Sequence, residues 1–241
     1  MRPFFRYFGA KHQIARRYPA PAGVVCEPFA GSASYCVDWE VRRAILCDVD
    51  PRVVALWQYL IRVTPEEILS IPLLERGESI DVGARTPEQR LLLSCWVNTA
   101  PWKKKFPERT NIDRGAGSDG ALWSKQTRSA IARQVTNIRE WKAIECSWEN
   151  APHADTYFVD PPYVVLGHRY KHSFVDYAAL AAWCRTTSAR VIVCESTGAD
   201  WLPFAPLANS MSALKGAHGA VERVWLNDAA TPPLFRGGLG A

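Results

Sequence analysis

The sequence predicts an α/β fold built on a mostly parallel sheet, and three observations lead there. Four short apolar runs, rich in β-branched residues, stand well apart: Val24-Val25-Cys26, Ala44-Ile45-Leu46-Cys47, Tyr157-Phe158-Val159 and Val191-Ile192-Val193-Cys194. Such runs read as strands buried on both faces. Helical stretches alternate with them, as the crossovers of a parallel sheet require. The runs end in Glu27, Asp48, Asp160 and Glu195, and open α/β sheets bind ligands beyond the carboxyl ends of their strands. Those acids mark where a site is expected.

Taken in order, the first run enters a glycine-containing turn, and a helix opens at Ser32 or Ser34. After the second run Asp50 caps a helix with Pro51 at its first position. Its apolar face is Val53, Val54, Leu56, Trp57, Leu60 and Ile61. Thr64-Pro65-Glu66-Glu67 and Thr86-Pro87-Glu88-Gln89 read as capping boxes. Ser124 caps a helix carrying Ile131, Val135 and Ile138, and Asp176 starts another through Leu180 and Trp183. Between Thr64 and Ile138 no strand is legible, and residues 111–120, with Gly115, Gly117 and Gly120, read as a loop. The expected organisation is an α/β domain from residues 1–64 and 142–228, split by a helical, basic insertion at 65–141. The run from Val221 to Leu226 is expected to pair with Asn209 to Leu214 as a hairpin, and 229–241 to be a disordered tail.

The 241 residues are 48% hydrophobic and 22% charged, ordinary for a globular chain. No run is long enough to span a bilayer, and the charged N-terminus lacks a secretory pattern, so a cytoplasmic protein is expected. The seven cysteines are odd in number and none form a CxxC pair; they read as buried reduced thiols, with no metal site. The formal charge is +5, yet from Pro101 to Lys142 ten basic residues face four acidic ones. That local excess suits a polyanionic partner.

Chemistry concentrates at Asp160-Pro161-Pro162-Tyr163. Two consecutive prolines cannot extend a central strand, because neither donates to the ladder. They set a stiff turn that leaves a carboxylate, carbonyls and an aromatic ring at one point; the plainer reading is a Pro-Pro turn with Tyr163 in the core. The motif resembles the amino-methyltransferase signature D/N/S-P-P-Y/F/W. The resemblance implies that Asp160 and the Pro161 carbonyl accept the two hydrogens of an exocyclic amine. The nitrogen lone pair is then localised for in-line attack on a sulfonium methyl, and Tyr163 stacks on the flipped base.

Three further elements share this resemblance. Glu27-Pro28-Phe29-Ala30-Gly31-Ser32-Ala33 looks like the E-P-F-x-G-x-G motif that binds S-adenosylmethionine (SAM), departing from it at Ala33. Asp48 stands seventeen residues beyond Gly31, where the family places the acid that holds the ribose hydroxyls. Asp50 reads as a helix cap that also approaches the cofactor's adenine. Tyr7-Phe8-Gly9-Ala10-Lys11 resembles W-x-G-x-K, which folds across the cofactor pocket; Tyr7, Gly9 and Lys11 are then cofactor-side residues. Ser147 and Trp148 fall where the family contacts the cofactor adenine, although Trp148 is equally readable as core.

The order of these elements, with the insertion before Asp160, is similar to that of the alpha group of amino-methyltransferases. That group includes the DNA adenine methylase family and many phage-borne relatives. The resemblance implies a Rossmann-like SAM-dependent methyltransferase, site-specific for N6 of adenine in double-stranded DNA, in a bacterial host. The insertion becomes its target-recognition part, with Lys103, Lys104, Lys105, Arg109, Arg114, Arg128 and Arg169 as DNA contacts. Asn98 and Asn111 are candidates to read base edges, and Tyr170 to hold the strand beside Arg169. His168 and His172 are not spaced as a metal pair. Cytosine C5 chemistry is discarded, since no cysteine follows a proline. Cytosine N4, RNA or protein-glutamine methylation, and a DNA- or SAM-binding module without activity, remain as alternatives. The recognition sequence, oligomeric state and any restriction endonuclease partner are not legible.

Overall fold

The computed structural model describes residues 1–74, 79–96, 123–164, 174–207 and 221–227. Its strands are β1 (Val25–Glu27), β2 (Ala44–Asp48), β3 (Lys142–Glu145), β4 (Thr156–Val159), β5 (Arg190–Ser196), β6 (Ala205–Pro206) and β7 (Glu222–Leu226). They form one sheet in the order β3-β2-β1-β4-β5-β7-β6. The first five are parallel; β7 runs antiparallel to β5, and β6 antiparallel to β7.

The four apolar runs form β1, β2, β4 and β5, all inside the sheet. Alternation along them sends side chains to two different cores. Val25, Leu46, Phe158 and Ile192 enter one. Cys26, Cys47, Tyr157, Val159, Val191 and Val193 enter the other. Strands wetted on neither face need no polar alternation, which is why they read as continuous apolar runs.

The helices are α1 (Ser34–Asp38), α2 (Pro51–Arg62), α3 (Pro65–Ser70), α4 (Ile80–Gly83), α5 (Pro87–Trp96), α6 (Lys125–Gln134) and α7 (Tyr177–Thr186). Their caps follow the sequence. Asp50 accepts from Arg52 N–H at 3.0 Å, Thr64 from Glu67 at 3.1 Å, and Thr86 from Gln89 at 3.2 Å. Ser124 accepts from Thr127 at 3.1 Å and Asp176 from Ala179 at 3.0 Å. Each satisfies an otherwise orphaned helical N–H.

Three features differ from the sequence reading. The strand β3 is new; its pattern Lys142-Ala143-Ile144-Glu145 is too short and too charged to announce itself, because it lies at the sheet edge beside β2. The strand β7 pairs with the long strand β5, a pairing the sequence did not announce, and with β6; residues 209–214, its expected hairpin partner, lie outside the described residues, as does the tail 229–241. The helices of the insertion also share the main core. Ile68, Leu92, Leu93, Trp96 and Ile131 join Trp57 and Phe158 in one cluster. They lie on the β2-to-β3 crossover, and a parallel connection must cover the sheet it crosses.

The N-terminal segment is anchored rather than loose. Phe4 and Phe5 are fully buried, with ring centroids 5.5 and 5.2 Å from that of Trp57. Gln134 of α6 holds Arg2 by a reciprocal pair, accepting from its N–H at 2.9 Å and donating to its carbonyl at 2.7 Å. The Trp96 indole donates to the Phe4 carbonyl at 2.9 Å. These contacts lead Tyr7–Lys11 over the carboxyl ends of the strands. All seven cysteines are free thiols, and only Cys146 is not buried. Among the described residues no helix is long and apolar enough to cross a membrane.

Candidate active site

The strand order reverses between β1 and β4: β2 and β3 lie to one side of β1, β5 to the other. Such a switch point opens a crevice at the carboxyl ends, because the connections leave in opposite directions. Both motifs sit there.

On the β1 side, the backbone turns through the left-handed region twice, at Gly31 (φ 44°) and Ala33 (φ 46°). A Cβ at Gly31 would lie 3.0 Å from the Tyr7 ring, so glycine is needed for both backbone and packing. Ala33 keeps the backbone of a glycine turn at a cost of roughly 1–2 kcal/mol. The departure from the second family glycine therefore preserves the shape of the turn.

Asp48, at the end of β2, braces this turn. Its Oδ2 accepts from Gly31 N–H at 3.0 Å and its Oδ1 from Asp50 N–H at 2.9 Å. The Trp57 indole donates to the Gly31 carbonyl at 2.8 Å. A carboxylate has about four acceptor positions, so Asp48 can accept from hydroxyls as well as from these amides. Asp50 is the buried cap of α2, and its carboxylate pairs with Arg52. Glu27 accepts from Cys36 N–H at 2.8 Å, and burial raises its pKa to about 8. Pro28 and Phe29 continue the strand into the turn. Trp148 is packed in the second core with its ring edge-on to Trp183, and the Ser147 carbonyl accepts from Asn150 N–H.

On the β4 side, Asp160 meets the N-terminal segment. The Lys11 ammonium lies 3.1 Å from Asp160 Oδ1 and donates to the Gly9 carbonyl at 3.1 Å. It also sits 4.6 Å from the centroid of the Tyr163 ring, a cation–π distance. Burial pushes the Asp160 pKa up, while Lys11 pulls it back. Pro161 and Pro162 are buried, and the Pro162 carbonyl accepts from the Tyr177 hydroxyl. The Tyr163 hydroxyl donates to Glu222 Oε1. Burial, with Asp160 and Glu222 close by, raises the Tyr163 pKa far above its ordinary value, so the phenol stays protonated.

The structure thus brings together Tyr7, Gly31 and Asp48 on one side, and Lys11, Asp160 and Tyr163 on the other. It adds Glu222 and Tyr18, which the sequence reading did not single out. Glu222 had one available signal: it shares a strand face with Val224 and Leu226, where an acid is out of place. Glu195 turns inward to hold the backbone, accepting from Ser196 N–H at 2.8 Å and the Trp201 indole at 3.2 Å.

Of the expected DNA contacts, Lys103, Lys104, Lys105, Arg109, Arg114 and Arg169 lie outside the described residues, as do Asn98, Asn111, His168, Tyr170 and His172. Arg128 is described, and its Nη1 donates to the Ile71 carbonyl at 2.7 Å, tying α6 to the end of α3. A cavity of about 490 Å³ opens between the N-terminal segment and helices α5 and α6; its walls include Arg2, Arg6, Tyr7, Trp96 and Gln126.

Residues 8–81 match the family described as D12 class N6 adenine-specific DNA methyltransferase. The match runs from the Lys11 element through the glycine turn and Asp48 to α4. No curated protein sequence matches the chain. Through this segment, which lies on an α/β sheet, the chain is similar to the D12 class of adenine-specific DNA methyltransferases.

Proposed function

We propose that the chain uses SAM to methylate N6 of an adenine flipped out of double-stranded DNA, by direct in-line attack. The observation that carries this reading is the adjacency of two motifs on neighbouring strands: the Gly31–Asp48 turn at β1 and β2, and Asp160–Tyr163 at β4, spanned by the N-terminal segment, with Tyr7 against Gly31 and Lys11 paired with Asp160.

The residues fit the cofactor. A left-handed glycine turn lets ligand approach the backbone, and Asp48, fixed by two amides, offers acceptors to a ribose. SAM supplies an electrophilic methyl group on a sulfonium. Tyr7 lies over Gly31 and covers the turn.

Asp160 accepts one N6 hydrogen and the Pro161 carbonyl the other. That pair draws the nitrogen towards tetrahedral geometry and localises its lone pair, which ring conjugation otherwise spreads. Lys11 favours the ionised Asp160 and so opposes the burial that pushes its pKa up. Tyr163 offers a ring for the base to stack on. No step needs a covalent enzyme intermediate; the rate comes from positioning and electrostatics. Lys103–Lys105, Arg109, Arg114 and Arg169 are proposed to meet phosphates.

Incubating the chain with duplex DNA and labelled SAM, then analysing nucleosides by mass, tests the reading. N6-methyladenine is expected with the native protein, and a loss of at least about a hundredfold with Asp160→Ala. Label on N4 of cytosine, on RNA in preference to DNA, or on protein would overturn the assignment.

A further inference from the structure

We propose that Glu222, on the antiparallel strand β7, is a positioning residue for methyl transfer: it fixes the Tyr163 ring by its hydroxyl and shares the Lys11 ammonium with Asp160. The inference rests on the function proposed above and adds a residue from outside both motifs.

Glu222 reaches the site because of the sheet's one antiparallel insertion. It pairs with Ser196 of β5, and its carbonyl accepts from Leu207 N–H at 3.1 Å. The flanking Val221 carbonyl accepts from Thr197 N–H at 3.1 Å. The backbone is thus held from two sides.

Its Oε1 then collects three groups from three parts of the chain. The Tyr18 hydroxyl donates at 2.7 Å, the Tyr163 hydroxyl donates as well, and the Lys11 ammonium stands 3.9 Å away. Tyr18 is itself immobilised, 2% exposed and edge-on to Phe158 at 5.1 Å. Both phenols must be protonated to donate, and burial raises both pKa values. The carboxylate at the hub is 13% exposed, so its contacts are not diluted by bulk water.

Two consequences follow for the reaction. A tyrosine ring held only by packing can rotate about two torsions; one held at its hydroxyl presents a fixed plane for stacking. An ammonium has three hydrogens to place. Gly9 takes one, Asp160 another, and Glu222 offers the third a second negative charge. Without that charge Lys11 is drawn wholly to Asp160, and competes with the substrate amine for the same oxygen lone pairs.

The test uses the full chain on duplex DNA with SAM. Glu222→Gln keeps the size and one acceptor but removes the charge, and Tyr163→Phe removes the hydroxyl from the other end. In each, kcat is expected to fall about ten- to a hundredfold, the scale of a misplaced group. KM for DNA and for SAM should move less than about threefold, and the melting temperature by only a few degrees. The double variant should fall by less than the product of the two single effects, because both act on the same Tyr163–Glu222 contact. Native kcat in Glu222→Gln, strictly multiplicative losses, or a loss confined to KM or to melting would overturn the proposal while the methylation function stands. A native chain that produces no N6-methyladenine overturns the function itself.

Discussion

Asp160 and Glu27 are carboxyls at the ends of adjacent strands, and burial raises the pKa of both. Asp160 lies against an ammonium, and Glu27 against a neutral amide. Desolvation is the largest cause at both; Lys11 opposes it at Asp160, and at Glu27 the pKa rises from its ordinary 4.5 to about 8. Between those values the folded chain holds a proton that the unfolded chain has lost, so stability falls as pH rises across that window. Replacing Glu27 by Gln removes the titration. Melting temperature measured from about pH 5 to 8 should decline less steeply in Glu27→Gln than in the native chain. Parallel profiles would mean that the carboxyl is solvated. Gly31 shows the same dependence on neighbours: its positive φ and the Tyr7 ring 3.0 Å from where a Cβ would stand are separate reasons for one residue type.

The N-terminal segment has no helix or strand in its first fourteen residues, yet it carries Tyr7 and Lys11 into the site. Its order comes from side chains: two phenylalanines in the core, the Trp96 indole on a carbonyl, and the Gln134 clamp on Arg2. Gln134→Ala leaves the core aromatics in place and removes only the clamp. Two lost hydrogen bonds to a buried amide cost about 1–3 kcal/mol. The strap should loosen, so calorimetry is expected to show weaker SAM binding, with faster proteolysis near the N-terminus. Unchanged SAM affinity would separate the strap from the proposed cofactor pocket. The strand β7 is the other element that acts at a distance, since its antiparallel pairing with β5 delivers Glu222.

At the scale of the molecule, charge and topology divide the labour. The sheet gathers the acids at the carboxyl ends of its inner strands, and the basic excess between Pro101 and Lys142 lies on the β2-to-β3 crossover. A polyanion gripped by lysine and arginine releases counterions, so affinity for duplex DNA should fall steeply with salt. A loss of at least about tenfold is expected between about 50 and 200 mM salt, measured by fluorescence anisotropy. Affinity indifferent to salt would mean that this stretch does not contact phosphates.

Much of the fold was legible in the amino-acid order alone, because its signals are local. Buried parallel strands announce themselves as apolar runs, caps as Asp, Ser or Thr ahead of a helix, and Asp160-Pro161-Pro162-Tyr163 as a turn no strand can absorb. Asp48, Asp50 and Gly31 were visible for the same reason. What only the tertiary structure decided depends on pairing across long separations. That β7 joins β5, that Glu222 meets Tyr163 and Tyr18, and that Lys11 reaches Asp160 are contacts between residues 59, 204 and 149 positions apart. A strand of five residues pairs with whichever edge its hydrogen bonds and apolar face can satisfy together. Composition and periodicity carry the face but not the partner, so the residues that complete the site emerged only once the sheet had closed around it.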